Sequence, residues 1–100
     1  MTADDKFNKG LKAIIDRFPG LEFQLVPANN PVYALYHGIR NDVSWMTISY
    51  ELFGKKPYMH VRVHGLDPVE DIKNIYINIG LEPEVRFKND KTIDIDAPLG

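Results

Sequence analysis

Two histidines spaced four residues apart are the first residues in this chain whose types suggest chemistry. His60 and His64 flank the sequence VRV, a spacing that suits a shared metal ion on a helix. The alternation of valine with polar residues predicts a strand instead, where four residues separate the two rings by about 13 Å. Two ligands of one zinc ion must each lie about 2 Å from it. We therefore predict no metal site here.

A serine, a histidine and a carboxylate on neighbouring strands are the components of a hydrolase triad. Ser49, Glu51 and His60 fall on one face of two predicted strands. In the predicted register His60 lies opposite Glu51, whereas Ser49 lies opposite Arg62 and only diagonal to His60. Because the histidine of a triad must contact both partners, we expect cross-strand pairs and no catalytic residue.

Other catalytic or cofactor-binding motifs are missing from the sequence. There is no cysteine, which excludes thiol catalysis and iron–sulfur sites, and the seven glycines form no phosphate-binding loop. Asp94 and Asp96 share one face of a predicted strand, but the expected cross-strand neighbour of Asp94 is Arg86, which favours an ion pair over a cation site. We therefore predict no cofactor and favour a non-enzymatic function.

The two histidines and the serine belong to a predicted hairpin formed by residues 44–64. Alternating side chains give each of its strands one apolar row. The loop, residues 55–56 or 54–57, has an even length, which keeps both rows on the same face of the sheet. The apolar row consists of Met46, Ile48, Tyr50, Leu52, Met59, Val61 and Val63.

The opposite, mixed face of this hairpin is the predicted binding surface. Its aromatic, histidine and arginine side chains resemble the composition of a protein interface more than plain solvated surface. A turn at Asn41 and Asp42 brings the preceding strand alongside, so that Trp45 covers Gly38 on this face. The predicted partner-binding residues are Tyr36, Trp45, Phe53, Tyr58, His60, Arg62 and His64.

Two amphipathic helices are predicted from capping signals and apolar stripes. Thr2 caps the first helix, with Asp5 completing a capping box. Asp67 is expected to cap the second, with Pro68 at its first position and Glu70 completing the box. The stripes are Phe7, Leu11, Ile14 and Phe18 in the first helix, and Val69, Ile72, Ile75, Tyr76 and Ile79 in the second.

The remaining segments read as strands and a tail. Residues 21–26 and 32–40 are predicted strands, and residues 84–88 and 92–96 form a second hairpin. Its loop has three residues, because a two-residue loop would place its apolar rows on different faces. Residues 97–100 are expected to be a loose tail.

The element order is therefore α-β-β-β-β-α-β-β, in a single α+β domain over residues 1–100. Apolar rows and stripes are satisfied together when both helices pack on one face of an antiparallel sheet, leaving the other face open. No family motif is recognised. The element order is similar to that of small bacterial adaptor proteins such as secretion chaperones, which implies a bacterial or phage protein.

Charge and composition leave two functional hypotheses for the open face. Protein binding or homodimer formation is favoured, because large exposed aromatic patches are rare on monomers. Single-stranded nucleic acid is the alternative, since residues 40–66 carry four basic against two acidic side chains, although the net charge of −2 opposes it. A small ligand, an enzyme built from distant loops, and a terminal tail that folds over the sheet stay open. Without a signal peptide or spanning segment, we expect a cytoplasmic protein with no membrane partner.

Overall fold

The computed structural model describes residues 2–100, which form two helices and one six-stranded sheet. All neighbouring strands are antiparallel, in the order β1-β2-β3-β4-β6-β5. The predicted α+β element order is confirmed. The elements are α1 (Ala3–Arg17), β1 (Glu22–Val26), β2 (Val32–Arg40), β3 (Val43–Phe53), β4 (Lys56–His64), α2 (Val69–Asn78), β5 (Glu84–Phe87) and β6 (Thr92–Pro98).

Helix α1 begins at the predicted capping box and packs closely on the sheet. The backbone amide of Asp5 donates to the Thr2 hydroxyl at 3.1 Å, and the Thr2 amide donates back to the Asp5 carboxylate at 3.2 Å. A β-carbon at Gly10 would lie 2.9 Å from the sulfur of Met59 on β4. The missing side chain therefore allows a close approach that outweighs the low helix propensity of glycine.

Helix α2 begins one residue later than predicted, and the expected capping box at Asp67 is wrong. Pro68 takes the cap position with helical dihedral angles, and no side chain caps the helix. The C-terminal end is as predicted, since Gly80 has a φ of 85° that only glycine adopts easily. Inside the helix, the buried Tyr76 hydroxyl donates to the carbonyl of Ile95 at 2.9 Å and so ties α2 to β6.

The β3–β4 hairpin has the predicted faces but a different register. Its turn is the pair Gly54 and Lys55, because Gly54 with a φ of 65° takes the first turn position. Ser49 rather than Glu51 therefore lies opposite His60, and the other predicted partners are likewise displaced by two residues. A shift of two residues leaves every side chain on its predicted face.

A β-bulge between β2 and β3 overturns the predicted pairing of these strands. Asn41 and Asp42 do form the turn, both with positive φ. Gly38 then pairs with Met46 and the next residue of β2 pairs with Ser44, which leaves Trp45 as the extra residue. The register changes by one position at this point, so Ala34 and Tyr36 exchange faces relative to the prediction; a second register shift between Val32 and Ala34 leaves the Tyr33 ring beside Tyr50.

The exchange moves Tyr36 to the side of the sheet that the helices cover. Tyr36 lies opposite Ile48 and packs against the buried core. The ring that covers Gly38 belongs to Phe23 of β1 rather than to Trp45, because a β-carbon at Gly38 would lie 2.9 Å from the Phe23 ring. Regular pairing from the turn at Asn41 and Asp42 predicts Tyr33 opposite Tyr50, Leu35 opposite Ile48 and His37 opposite Met46. The bulge makes these pairings wrong, and Tyr50, Ser49 and Thr47 instead lie opposite Ala34, Leu35 and His37.

The C-terminal hairpin has the predicted register but lies differently in the sheet. Arg86 lies opposite Asp94, as predicted. Strand β6 also pairs with β4, so it is an inner strand and β5 is the edge. The prediction of a loose tail is wrong, because β6 continues to Pro98 and the Leu99 side chain is buried. The Leu99 amide donates to the Pro57 carbonyl at 2.9 Å.

Both helices and one face of the sheet share a single hydrophobic core. Phe7 and Ile14 of α1 and Ile72 of α2 pack over the central strands, where Val61 of β4 and Ile95 of β6 are fully buried. The other face of the sheet carries no helix, and we call it the open face. No helix within residues 2–100 has the length and apolar character needed to cross a membrane.

Candidate functional site

The structure divides the seven predicted partner-binding residues between two sides of the sheet. The open face carries Phe53, at the end of β3, together with the four predicted residues of β4. Tyr36 and Trp45 lie on the helix side, so their predicted position on the open face is wrong; the β-bulge at Trp45 is the physical reason. The four residues of β4 on the open face are Tyr58, His60, Arg62 and His64.

The centre of the open face is a group of interacting polar side chains from four neighbouring strands. Strand β4 lies between β3 and β6, so His60 has Ser49 on one side and Asp96 on the other. We call the whole group the polar cluster. It consists of Ser49, Glu51, His60, Arg62, Arg86, Asp94 and Asp96.

His60 is held between two carboxylates of β6. Its Nδ1 forms a short hydrogen bond with the Asp96 carboxylate, and its Nε2 lies 3.8 Å from an oxygen of Asp94. Burial alone would lower the pKa of His60, but the hydrogen bond to Asp96 and the negative charges of Asp96, Glu51 and Asp94 outweigh it. The pKa of His60 is therefore raised, which favours the protonated ring.

Two arginines complete the neutralisation of the same carboxylates. Arg62 donates to Asp94 through Nε at 2.7 Å and through a terminal nitrogen at 3.2 Å, a fork that suits the planar carboxylate. Arg86 donates from β5 to Asp96. The Arg62 hydrogen bonds lower the pKa of Asp94, and His60 and Arg86 together lower the pKa of Asp96 against the opposing effect of its burial.

Ser49 is not arranged as a nucleophile. Its side chain is only 2 % exposed, and its hydroxyl donates to the Glu51 carboxylate at 2.5 Å. A triad needs that proton to face the histidine, and no Ser49–His60 hydrogen bond occurs within residues 2–100. The row of Ser49, His60 and Asp96 is therefore a set of cross-strand neighbours whose polar groups are already occupied.

Sequence reasoning missed Asp96 as the main partner of His60. A detectable signal is present: the acidic residues Asp94 and Asp96 alternate with apolar residues, as His60 and Arg62 do. Only the adjacency of β4 and β6 brings the two alternations into contact. Within residues 2–100, no group of three or more acidic or histidine side chains is arranged to hold a metal ion.

One end of the open face is aromatic. The rings of Phe53 and Tyr58 pack edge to face with centroids 5.0 Å apart, beside the turn of the β3–β4 hairpin. Phe53 remains largely exposed. His64, at the far end of β4, is also exposed and lies 3.4 Å from the Thr92 hydroxyl. Aromatic contact area is therefore concentrated at the hairpin tip.

The two predicted residues that leave the open face each line a hollow on the helix side. Trp45 lines a hollow of about 410 Å³ beside the end of α1, where the Arg40 guanidinium lies 5.0 Å from its ring centroid. Tyr36 lines a second hollow, of about 430 Å³, beside the start of α1. We call this second one the tyrosine hollow; its lining residues are Asp4, Phe7, Asn8, Tyr33, Ala34, Tyr36 and Tyr50.

Comparison with known proteins assigns no family to the chain. No family model, curated protein or solved structure matches it. An α+β fold by itself does not define an activity, since one fold supports many functions. The structural features that bear on function are therefore the open face and the two hollows.

Proposed function

We propose that the chain is a non-enzymatic binding module that associates with a second copy of itself through the open face. The observation that carries this proposal is the internal pairing of both β6 carboxylates of the polar cluster. Each carboxylate of β6 meets at least one cation, because Asp94 faces Arg62 and Asp96 faces both His60 and Arg86. A sheet face neutralised in this way is suited to being covered.

The energetic reason is desolvation. Burying an unpaired charge at an interface costs several kcal/mol, whereas a charge already paired within its own chain costs much less. No buried side-chain nitrogen or oxygen within residues 2–100 lacks a hydrogen-bond partner. A second protein surface laid on the open face therefore does not have to supply a cation for Asp94 or Asp96.

The remaining contact area suits a symmetric partner. The exposed ring of Phe53 beside Tyr58 offers apolar area at one end, and aromatic side chains commonly supply much of an interface's energy. Across the open face, cationic Arg62 and Arg86 stand beside anionic Asp94 and Asp96. A surface with both signs interspersed is complementary to a rotated copy of itself, as a two-fold dimer requires.

The competing hypotheses fit this geometry less well. An enzyme needs a recess above its reactive groups, and neither of the two hollows is lined by the polar cluster. Nucleic acid needs cations that can meet phosphates, but Arg62 and Arg86 are both engaged by carboxylates. A cytoplasmic location and a bacterial or phage origin stay predictions from the sequence.

Solution mass by light scattering tests the proposal, with two matched glutamate variants. Phe53 on the open face and Ile77 on α2 are 54 % and 56 % exposed, so neither substitution disturbs a buried side chain. We expect the wild type and Ile77→Glu to be dimers and Phe53→Glu to be a monomer. Circular dichroism checks that both variants are folded.

Three results would contradict the proposal. A wild-type monomer at about 100 µM excludes self-association of useful strength, because it sets the free energy of dimerisation weaker than about −5 kcal/mol. Loss of the dimer in Ile77→Glu alone places the contact on the helix layer. If the dimer survives both Phe53→Glu and Arg62→Glu, the open face is excluded as the dimer contact. A wild-type monomer that binds a different protein through Phe53 would assign the face to that partner instead.

A further inference from the structure

The tyrosine hollow is an open recess bordered by four aromatic side chains, and two contacting pairs of their rings meet at steep angles. The Phe7 and Tyr50 rings meet edge to face, with centroids 5.2 Å apart and planes at 66°. Tyr33 and Tyr50 meet at 6.0 Å and 70°. Tyr36 is the fourth ring of the lining. Rings that meet edge to face do not stack into a flat layer, and these four aromatic side chains border one small volume.

The hollow also contains one carboxylate. Asp4 lines it from the first turn of α1 and forms no ion pair within residues 2–100. No basic side chain belongs to the lining, so the only formal charge that faces the volume is negative. Tyr50 and Asp4 line the same hollow; burial raises the pKa of the Tyr50 hydroxyl, and interaction with the Asp4 carboxylate raises it further.

The geometry points to a binding site for a quaternary ammonium group, such as the trimethylammonium head of a choline-like compound. The faces of aromatic rings carry partial negative charge and attract a cation placed over them. A trimethylammonium group is large, apolar on its outside and less strongly hydrated than a primary ammonium, so it enters an aromatic recess at a lower desolvation cost than a lysine-like cation. Asp4 adds attraction over a longer distance than the rings do.

Size and exposure agree with this ligand class. A volume of about 430 Å³ lies within the range of small-molecule pockets. Phe7 is buried and fixed in the core, whereas Tyr33 is 61 % exposed and leaves one wall open to solvent. The arrangement is therefore a rigid floor with an accessible entrance. It lies on the helix side, so occupation of the hollow does not require the open face to be free.

Binding of choline and of its neutral isostere 3,3-dimethylbutanol tests the inference. The two compounds have the same shape and differ in charge, so their comparison separates cation recognition from simple apolar fit. We expect saturable binding of choline by proton NMR, with the methyl signal shifted upfield by the surrounding rings. We expect the isostere to bind at least about tenfold more weakly.

Matched variants assign the binding to the hollow. Tyr33→Ala removes an exposed wall, and Phe87→Ala removes a similarly exposed ring, 65 % accessible, from the distant edge strand β5. Asp4→Asn removes the lining carboxylate, and Asp16→Asn removes a carboxylate from the other end of α1. Tyr33→Ala and Asp4→Asn should each weaken choline binding at least about threefold, and the two control variants should not.

Other outcomes would overturn the inference, or would show whether the trimethylammonium group belongs to a small molecule or to a protein. Equal affinity for choline and the isostere would show that the hollow recognises apolar shape and not positive charge. Absence of binding at about 50 mM choline would show that the hollow is not a binding site for this group. Binding unaffected by Tyr33→Ala and Asp4→Asn would place it elsewhere. A peptide containing trimethyllysine provides a second arm. Binding of that peptide much more tightly than choline, and more tightly than its unmodified form, would assign the trimethylammonium group to a protein ligand.

Discussion

The polar cluster and the tyrosine hollow lie on opposite sides of the same sheet and treat charge in opposite ways. In the polar cluster, Asp94 and Asp96 are held by histidine and arginine side chains from adjacent strands. In the tyrosine hollow, Asp4 stands among aromatic rings and has no cationic partner within residues 2–100. The first region therefore pairs its two β6 carboxylates within the chain, and the second leaves its one carboxylate without a cation.

This difference separates a surface suited to assembly from a recess suited to a ligand. A carboxylate that is already paired with a cation of its own chain can be covered by another protein without a further compensating charge. The reason is that the attraction between the two partners offsets part of the free-energy cost of desolvation. An unpaired carboxylate beside aromatic faces gains most from a cation that arrives from outside. The stability of the fold should therefore depend on the first region, and ligand affinity on the second.

The largest expected effect is loss of the Asp96 charge. Asp96→Asn keeps the size of the side chain but removes the negative charge that meets His60 and Arg86. Because Asp96 is only 4 % exposed, we expect a loss of about 1.5 to 3 kcal/mol in the free energy of unfolding. Urea denaturation measures it. Glu84→Gln, an exposed position opposite Asp96, is the control and should change stability by less than about 0.5 kcal/mol.

The next largest effect is a dependence of the free energy of unfolding on pH, which the titration of His60 causes. The folded pKa of His60 is raised above its ordinary 6.5, so the stabilisation is fully present below 6.5 and is lost as pH rises through the folded pKa. The pKa values of Asp94 and Asp96 are lowered below 3.8, so their contribution is lost only as pH falls through the folded values. Stability should therefore be greatest between these limits.

The measurement is a series of urea denaturations from about pH 5 to about pH 9 on the wild type and His60→Gln. The wild type should lose stability with rising pH above 6.5, the ordinary pKa of the ring, and the variant should lose this dependence. A wild-type curve that rises with pH over the same interval would show that burial, rather than Asp96, dominates the ring.

A smaller effect is expected at the exposed rim of the polar cluster. Arg86 bonds to the buried carboxylate of Asp96, but its own side chain is largely exposed, so solvent screens the pair. We expect Arg86→Ala to cost less than about 1 kcal/mol, since His60 still compensates Asp96. Thermal unfolding at pH 6 measures it. A cost that equals or exceeds that of Asp96→Asn would make Arg86, not His60, the main partner.

Much of the polar cluster could be predicted from the sequence, because local patterns determine which face of the sheet each side chain occupies. The alternation in β4 places His60 and Arg62 on one face, and the loop of the last hairpin places Arg86 opposite Asp94. The contact between His60 and Asp96 depends on β6 pairing with β4. Strands distant in sequence leave no local signal of which one becomes the neighbour.

The tyrosine hollow was not predictable, because it depends on two register shifts between β2 and β3, one at Trp45 and one at Tyr33. With Trp45 in regular pairing, Tyr36 would lie on the open face as predicted; the extra residue turns it toward the helices. A bulge of this kind has no marker in the alternation of residues 43–53. The packing of Phe23 over Gly38 comes from the pairing of β1 with β2, so it becomes visible only when these two strands are placed side by side.

The smallest expected change in stability is at Asp4, and it is the sharpest test of the comparison. Asp4→Asn removes the same charge by the same chemistry as Asp96→Asn, but from a carboxylate with no cationic partner within residues 2–100. We expect unfolding to change by less than about 0.5 kcal/mol, from a weakened interaction with the helix dipole. Urea denaturation of both variants under one set of conditions gives the contrast directly. Equal losses would mean that the fold depends on Asp4 as it does on Asp96, and the carboxylate of the hollow would then be a structural group.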